Sequence, residues 1–254
     1  MFSILRQSGT SSVEERIATQ YALTADVPIS STTIESLEAW SNALGEGMTV
    51  PLGSVEFVRR AMALAGVAEP ENLTYPDCLR AWLRREVSQR RAGSVLGHWF
   101  IKPVTTKIFT GFVCDTLGNP DHLSCHDRVQ YNALLSVPAD TSVWVSEPVT
   151  WLSEVRYYVV DGEIRGSGRY DDGPDDMPEP DLRAVAEMVS FMTHTLGAPV
   201  AFGLDAGVLV SGETALVECN DAWALGYYRG TLSHRDYFDM LWRRWAQLLC
   251  LSTV

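Results

Sequence analysis

Lysine is almost missing from this chain. Of 20 basic residues in 254, only Lys102 and Lys107 are lysines; the others are arginines. Arginine thus covers the surface, and the two lysines stand together in WFIKPVTTKIFTG, residues 99–111. A lysine is a compact, mobile point charge suited to phosphate oxygens, whereas a guanidinium is a rigid planar fork. Trp99 to Lys102 reads as a strand that Pro103 stops. The loop behind it, with Thr110 and Gly111, is of a kind that brings backbone N–H groups close to an anion.

Other absences narrow the function. No apolar run approaches the roughly 18 residues of a membrane span, and the start MFSILRQSGTSSVEE has neither the basic end nor the apolar core of a secretory signal. No membrane partner is expected. The net charge is −12, which argues against nucleic acid as the main partner because phosphate backbones demand clustered cations. An acidic protein still binds a small anion when its few cations are focused in one cleft. The five cysteines (Cys78, Cys114, Cys125, Cys219 and Cys250) are odd in number and scattered, which fits reduced thiols and a cytoplasmic location better than a disulfide framework. Cys114, His122, Cys125 and His126 include H-x-x-C-H, but the spacing matches no common zinc pattern and adjacent residues ligate one ion poorly. A polar loop is expected there. No Ser/His/Asp or Cys/His set is in evidence, and Cys219 reads as core.

In chain order, residues 1–95 read as mostly helical. Helices are expected from Ser12, from Thr33 to Leu44, from Ser54 to Gly66, and over 77–91 with Asp77 as cap. The arginines at the end of the last one (Arg84, Arg85, Arg90 and Arg91) suit a helix C-terminus electrostatically. From Gly97 the pattern turns to strands. SVWVSEPVTW runs into a break at Pro148, and EVRYYVVDGEIRGSGRY is a hairpin with Asp161-Gly162 as a type I′ turn. The acidic stretch 171–181 reads as a solvated loop. A helix from Asp181, two strands over 198–210 and 214–220, and a final helix from Asp236 complete the chain.

The second hairpin is informative as geometry. If Ser211-Gly212 is a two-residue turn, Val210 pairs with Glu213 and Asp205 lies opposite Glu218, with Cβ atoms about 4.5–5.5 Å apart. Asn220 shares that face. Two carboxylates and an amide oxygen then converge, and Mg²⁺ relieves the repulsion. The alternative is that one carboxylate is protonated or paired with an arginine, and a three-residue turn shifts the whole register. In the first hairpin, Glu154, Arg156 and Tyr158 share a face, with Glu154 expected opposite Arg169 and Tyr158 opposite Arg165 as surface pairs.

The order FIKP, K-x-F-T-G, SEPV, W-x-x-E-x-R, LDAGV and E-x-N-D-x-x-x-L-G-Y resembles the ATP-grasp superfamily. Within it, the chain is similar to a small bacterial and phage-borne clade with an arginine/lysine signature, from about residue 50 to the end. The resemblance implies an α+β fold with two lobes whose antiparallel sheets clasp ATP. A largely helical segment, 1–95, would belong to the substrate lobe, and 96–254 would be the ATP-grasp domain. Lys102 would meet the α/β phosphates and Lys107 the β/γ phosphates, and Glu147, Pro148 and Val149 would read the adenine edge. Glu154 would hold the ribose, and Asp205, Glu218 and Asn220 would hold Mg²⁺. Arg156 and Lys107 would act on the transferring phosphoryl group, and Asp221, Gly226 and Tyr227 would border the acceptor. The implied activity is an ATP-dependent carboxylate–amine or thiol ligase using an acylphosphate, on a small molecule or peptide. A phosphotransferase and a nucleotide-binding module without turnover are the alternatives, and a homo-oligomer is left open.

Overall fold

Three sheets organise the chain in the computed structural model, which describes residues 2–105 and 108–250. The first sheet is parallel. Its strands β1 (Ser3–Gln7), β2 (Ile29–Thr32) and β3 (Thr49–Leu52) lie in the order β2-β1-β3. Helix α1 (Val13–Ala25) joins β1 to β2, α2 (Ser41–Gly45) follows a 3₁₀ segment at Leu37–Trp40, and α3 (Val55–Leu64) leaves β3. The expected caps are present: the Ser12 and Ser54 hydroxyls accept from the N–H groups of Glu15 and Phe57.

The helical reading of residues 1–95 is corrected by these strands. β3 is buried at every position, and the others are only four or five residues long. Buried short strands carry no period-two alternation, so nothing in the pattern separates them from an apolar helix face or a loop. The expected helix over 77–91 is corrected as well. Asp77–Trp82 is a 3₁₀ segment, Arg84 turns the chain with φ +53°, and Val87–Arg91 forms strand β4.

β4 joins β5 (His98–Pro103), β6 (Phe112–Asp115) and β7 (Ser142–Ser146) in an antiparallel sheet ordered β4-β7-β5-β6. Residues 87–91 thus sit in this sheet although they precede the expected boundary at 95. Helix α4 (Cys125–Ser136) packs on it, Leu134 joining a core with Ile101, Phe112 and Val143. Cys125 and His126 open α4, so the polar loop expected there is a helix start. Among the described residues, no group of three or more His, Cys, Asp or Glu side chains is placed to hold a metal ion.

The third sheet contains β8 (Trp151–Val160), β9 (Glu163–Arg169), β10 (Ala201–Leu209) and β11 (Thr214–Asp221), ordered β11-β10-β8-β9. Helix α5 (Leu182–Thr193) covers one face, where Val185, Met188 and Met192 meet Tyr157, Val159 and Leu204. Helix α6 (His234–Leu248) covers the other, where Tyr237, Phe238 and Leu241 meet Tyr158 and Val160, together with Ile4 and Ile17 from the first sheet and α1. Successive residues of β8 therefore enter different cores, as strand alternation requires.

Both hairpins depart from the expected registers. In β8–β9 the turn residues Asp161 and Gly162 have φ 51° and 77°, as type I′ demands. Val159 pairs with Ile164, but Tyr158 pairs with Gly166, so Arg165 is an extra residue in β9. The bulge undoes the expected pairs: Arg169 lies opposite Val155 rather than Glu154. In β10–β11 the loop is three residues long, because Leu209 N–H donates to Glu213 O at 2.9 Å and Gly212, at φ +86°, closes onto Leu209 O at 2.8 Å. That slip alone would set Asp205 opposite Val217. An extra residue at Val217 reverses it, and Asp205 faces Glu218 after all. Two irregularities cancel.

Candidate active site

Three strands of the third sheet aim polar side chains at one place. Arg156 of β8 pairs with Asp205 of β10, which pairs with Glu218 of β11. Arg156 donates to Asp205 through Nε at 2.7 Å and Nη2 at 2.6 Å, with 6% and 1% of the two residues exposed. Burial works against the guanidinium charge, but Asp205 more than offsets it and holds the group above its ordinary value. The rings of Tyr228 and Tyr170, stacked on each other at 4.9 Å, lie 4.8 and 5.8 Å from the guanidinium carbon. Asn220 Nδ2 donates to Asp205 Oδ2 at 3.2 Å and to Glu218 Oε1 at 3.1 Å, and the other Glu218 oxygen contacts Lys102 Nζ. Asp205, Glu218 and Asn220 are thus together, as the register argument expects. The arginine pairing held open by the sequence is also present at Asp205.

A cavity of about 510 Å³ separates the second and third sheets. Lys102, Glu147, Val149, Glu154 and Glu218 line it, as do Thr110 and Gly111. Pro148 lies in the connector between Glu147 and Val149. Burial pulls the Lys102 ammonium down to about 8, against the attraction of Asp205. Burial likewise raises the Glu154 carboxyl, against a 3.0 Å hydrogen bond donated by Tyr170. The Thr110 N–H, a candidate anion donor, is given to Gln130 Oε1 at 2.8 Å. Lys107 lies outside the described residues.

A second cavity, about 460 Å³, opens past Asn220 and is walled by Arg156, Asp221, Trp223 and Gly226. The Asp221 carboxylate is committed elsewhere: both oxygens accept from Arg244, at 2.7 and 2.5 Å, and one also caps the Trp223 N–H. Tyr227 turns inward, its N–H donating to Glu14 and its hydroxyl to Leu232 O, with its ring edge-on to Tyr237 at 5.3 Å. It is not on the wall of either cavity. Sequence reasoning missed Arg85, which lines the first cavity and donates to backbone carbonyls of β11. Its helical assignment hid it, and no local signal marks the turn at Arg84 that redirects it. Tyr170 and Tyr228 carried no signal either.

Two antiparallel sheets that face each other across a cavity holding a lysine, with a carboxylate–amide cluster on the far wall, are the parts of an ATP-grasp domain. The chain belongs to the ATP-grasp domain family that is family 3 of the arginine/lysine-signature clade, whose sequence profile matches residues 43–248. Among solved structures it is similar to D-alanine–D-alanine ligase from Bacillus anthracis, with TM-score 0.55 and 13% identity over 98% of this chain and 99% of that one. D-cycloserine synthetase DcsG gives TM-score 0.53 and 14% identity over 97% and 98%. A RimK domain ATP-grasp protein from Sphaerobacter thermophilus gives 0.50 and 11% over 99% and 100%. At such identities the likeness is one of fold. A search of curated protein sequences found no match.

Proposed function

We propose that the protein is an ATP-dependent ligase joining a carboxylate to an amine, or to a thiol, on a small molecule or peptide. One observation carries the reading. The Asp205–Glu218–Asn220 face borders both cavities, Glu218 on the wall it shares with Lys102, and Asn220 on the wall it shares with Arg156. A nucleotide in the first cavity therefore has its terminal phosphate next to a space open to an acceptor.

Mg²⁺ fits the donor set, because two carboxylates and an amide oxygen are hard oxygen ligands already within hydrogen-bond reach of one another. Asp205, Glu218 and Asn220 would hold the ion, which neutralises phosphate charge when bound. Lys102 exchanges Glu218 for a phosphate oxygen. Arg156, anchored through Nε and Nη2, keeps Nη1 for the charge gathering on the transferring phosphoryl group. An oxygen of the substrate carboxylate attacks the γ-phosphorus and ADP leaves. The amine then attacks the acyl carbon, phosphate leaves, and the amine proton passes to solvent. Alignment and charge neutralisation are what such a transfer needs, not a covalent nucleophile.

The test is ADP release against paired carboxylates and amines. A ligase needs both partners, and a kinase leaves a phosphorylated product with one. Glu218→Ala is expected to abolish magnesium-dependent turnover, and unchanged ATP consumption in that variant would sink the assignment. A second reading, nucleotide binding without turnover, draws on the Arg156 fork that occupies both Asp205 oxygens. It predicts ATP binding with no ADP release for any pair.

A further inference from the structure

We infer that Arg85 is a positioning residue for Glu218, holding the β-bulge that turns this carboxylate into the site. The inference rests on the ligase reading only for what Glu218 does there.

The register makes the bulge decisive. The three-residue loop sets Val208 opposite Thr214, Gly207 opposite Ala215 and Ala206 opposite Leu216. Continued without interruption, that pairing puts Val217 opposite Asp205. Glu218 would then alternate onto the α5 face, among Leu204 and Leu216, where a carboxylate has no partner. The extra residue at Val217 returns Glu218 to the face it shares with Asp205 and Asn220.

A bulge disrupts the ladder locally, and backbone carbonyls at that point need other donors. Arg85 supplies them. Its Nη1 donates to Leu216 O at 2.9 Å and its Nη2 to Val217 O at 3.2 Å, so one guanidinium bonds the carbonyls of two consecutive residues immediately before Glu218. Nη1 also donates to Leu83 O at 2.9 Å. A planar fork meets two adjacent carbonyls at once, which an ammonium does not reproduce.

The fork is itself held in place. Its guanidinium carbon lies 5.7 Å from the Tyr75 ring and 5.3 Å from the Trp151 ring. Trp151 reaches that position because Gly207 has no side chain; a Cβ there would stand 2.5 Å from the indole. The neighbouring Glu86 N–H donates to Glu147 Oε2 at 3.3 Å, which ties the same stretch to the second sheet. Arg85 thus connects the lysine-bearing sheet to the strand that carries Glu218.

The experiment compares Arg85→Gln, Arg85→Lys and, as a surface control on β4, Arg91→Gln. Calorimetry measures ATP affinity with and without Mg²⁺, Mn²⁺ binding is followed by its paramagnetic resonance, and amide exchange is read along β11 and β8. Both Arg85 variants are expected to lose about 10–100-fold in metal-dependent affinity, with much smaller loss for metal-free ATP. Exchange should rise at residues 216–219 but not over 155–159, and Arg91→Gln should match the parent. Arg85→Lys keeps the charge and the stem over the rings, so it carries the test if Arg85→Gln does not fold. An equal loss with and without Mg²⁺ makes Arg85 a nucleotide contact and overturns the inference. So does a lowered melting temperature with unchanged metal affinity. If the parent binds no Mg²⁺–ATP, the ligase reading falls, while exchange at 216–219 still decides whether Arg85 holds the bulge.

Discussion

Arg156 and Glu218 stand in the same cluster, yet their removal should have opposite signatures. Arg156 shares two hydrogen bonds with an Asp205 that is 1% exposed. Taking away the arginine leaves a buried, uncompensated carboxylate, a loss of about 3–5 kcal/mol. Arg156→Met is therefore expected to lower the urea midpoint strongly as well as activity. Glu218 keeps a fifth of its side chain exposed (20%), so Glu218→Ala is expected to leave stability nearly intact while stopping turnover. Urea titration of the two variants side by side checks the contrast. Asp221 belongs with Arg156 at this scale. Its pairing with Arg244 fixes the 222–224 turn and leaves its carboxylate to the fold.

The open end of the β8–β9 hairpin is clasped by one side chain. Asp171 Oδ2 accepts from the Glu154 N–H at 2.8 Å, while Arg169 forks onto both carboxylate oxygens at 2.5 and 2.7 Å. The Arg169 hydrogen bond first, then those from the Glu154 and Gly173 N–H groups, hold the Asp171 carboxyl well below its ordinary value of 3.8. The folded state therefore resists protonation there. Its stabilisation is present above that ordinary value and is lost as pH falls below it. Asp171→Asn should accordingly be less stable than the parent near neutrality, with the gap closing in acid; urea midpoints at the two pH values measure it. The sequence assigned this acidic stretch to solvent, since nothing local says that its first residue reaches back to Glu154.

The elements themselves were unevenly legible. Ser12 and Ser54 mark their helices because a cap is a contact between neighbours in sequence. Asp161-Gly162 marks its turn for the same reason. β4 was invisible because what makes it a strand is β7, more than fifty residues on. The Asp205–Glu218 pairing was legible only in outcome, since the turn is one residue longer than expected and the bulge at Val217 compensates.

At the scale of the molecule, the first sheet is not an appendage. Tyr237, Phe238 and Leu241 of α6 share a buried cluster with Ile4, Ile17, Val27 and Val50. The family match covers only 43–248, but removing residues 1–42 would strip apolar cover from α6. That truncation is expected to abolish cooperative thermal unfolding rather than release an autonomous nucleotide-binding unit, and calorimetry of the shortened chain decides it. Among the described residues, no helix is long and apolar enough to cross a membrane.

The sequence by itself determined the antiparallel hairpins, the capped helices, and the pairing of two rare lysines with a carboxylate–amide cluster. These are matters of residue type and short spacing, where local preference and strand alternation suffice. Tertiary structure alone decided the parallel first sheet, the conversion of an expected helix end into β4, the Arg156 fork on Asp205, and the seat of Arg85 on the bulge. Each depends on groups far apart in the chain that meet only when buried surfaces are brought together, and local patterning carries no record of such meetings.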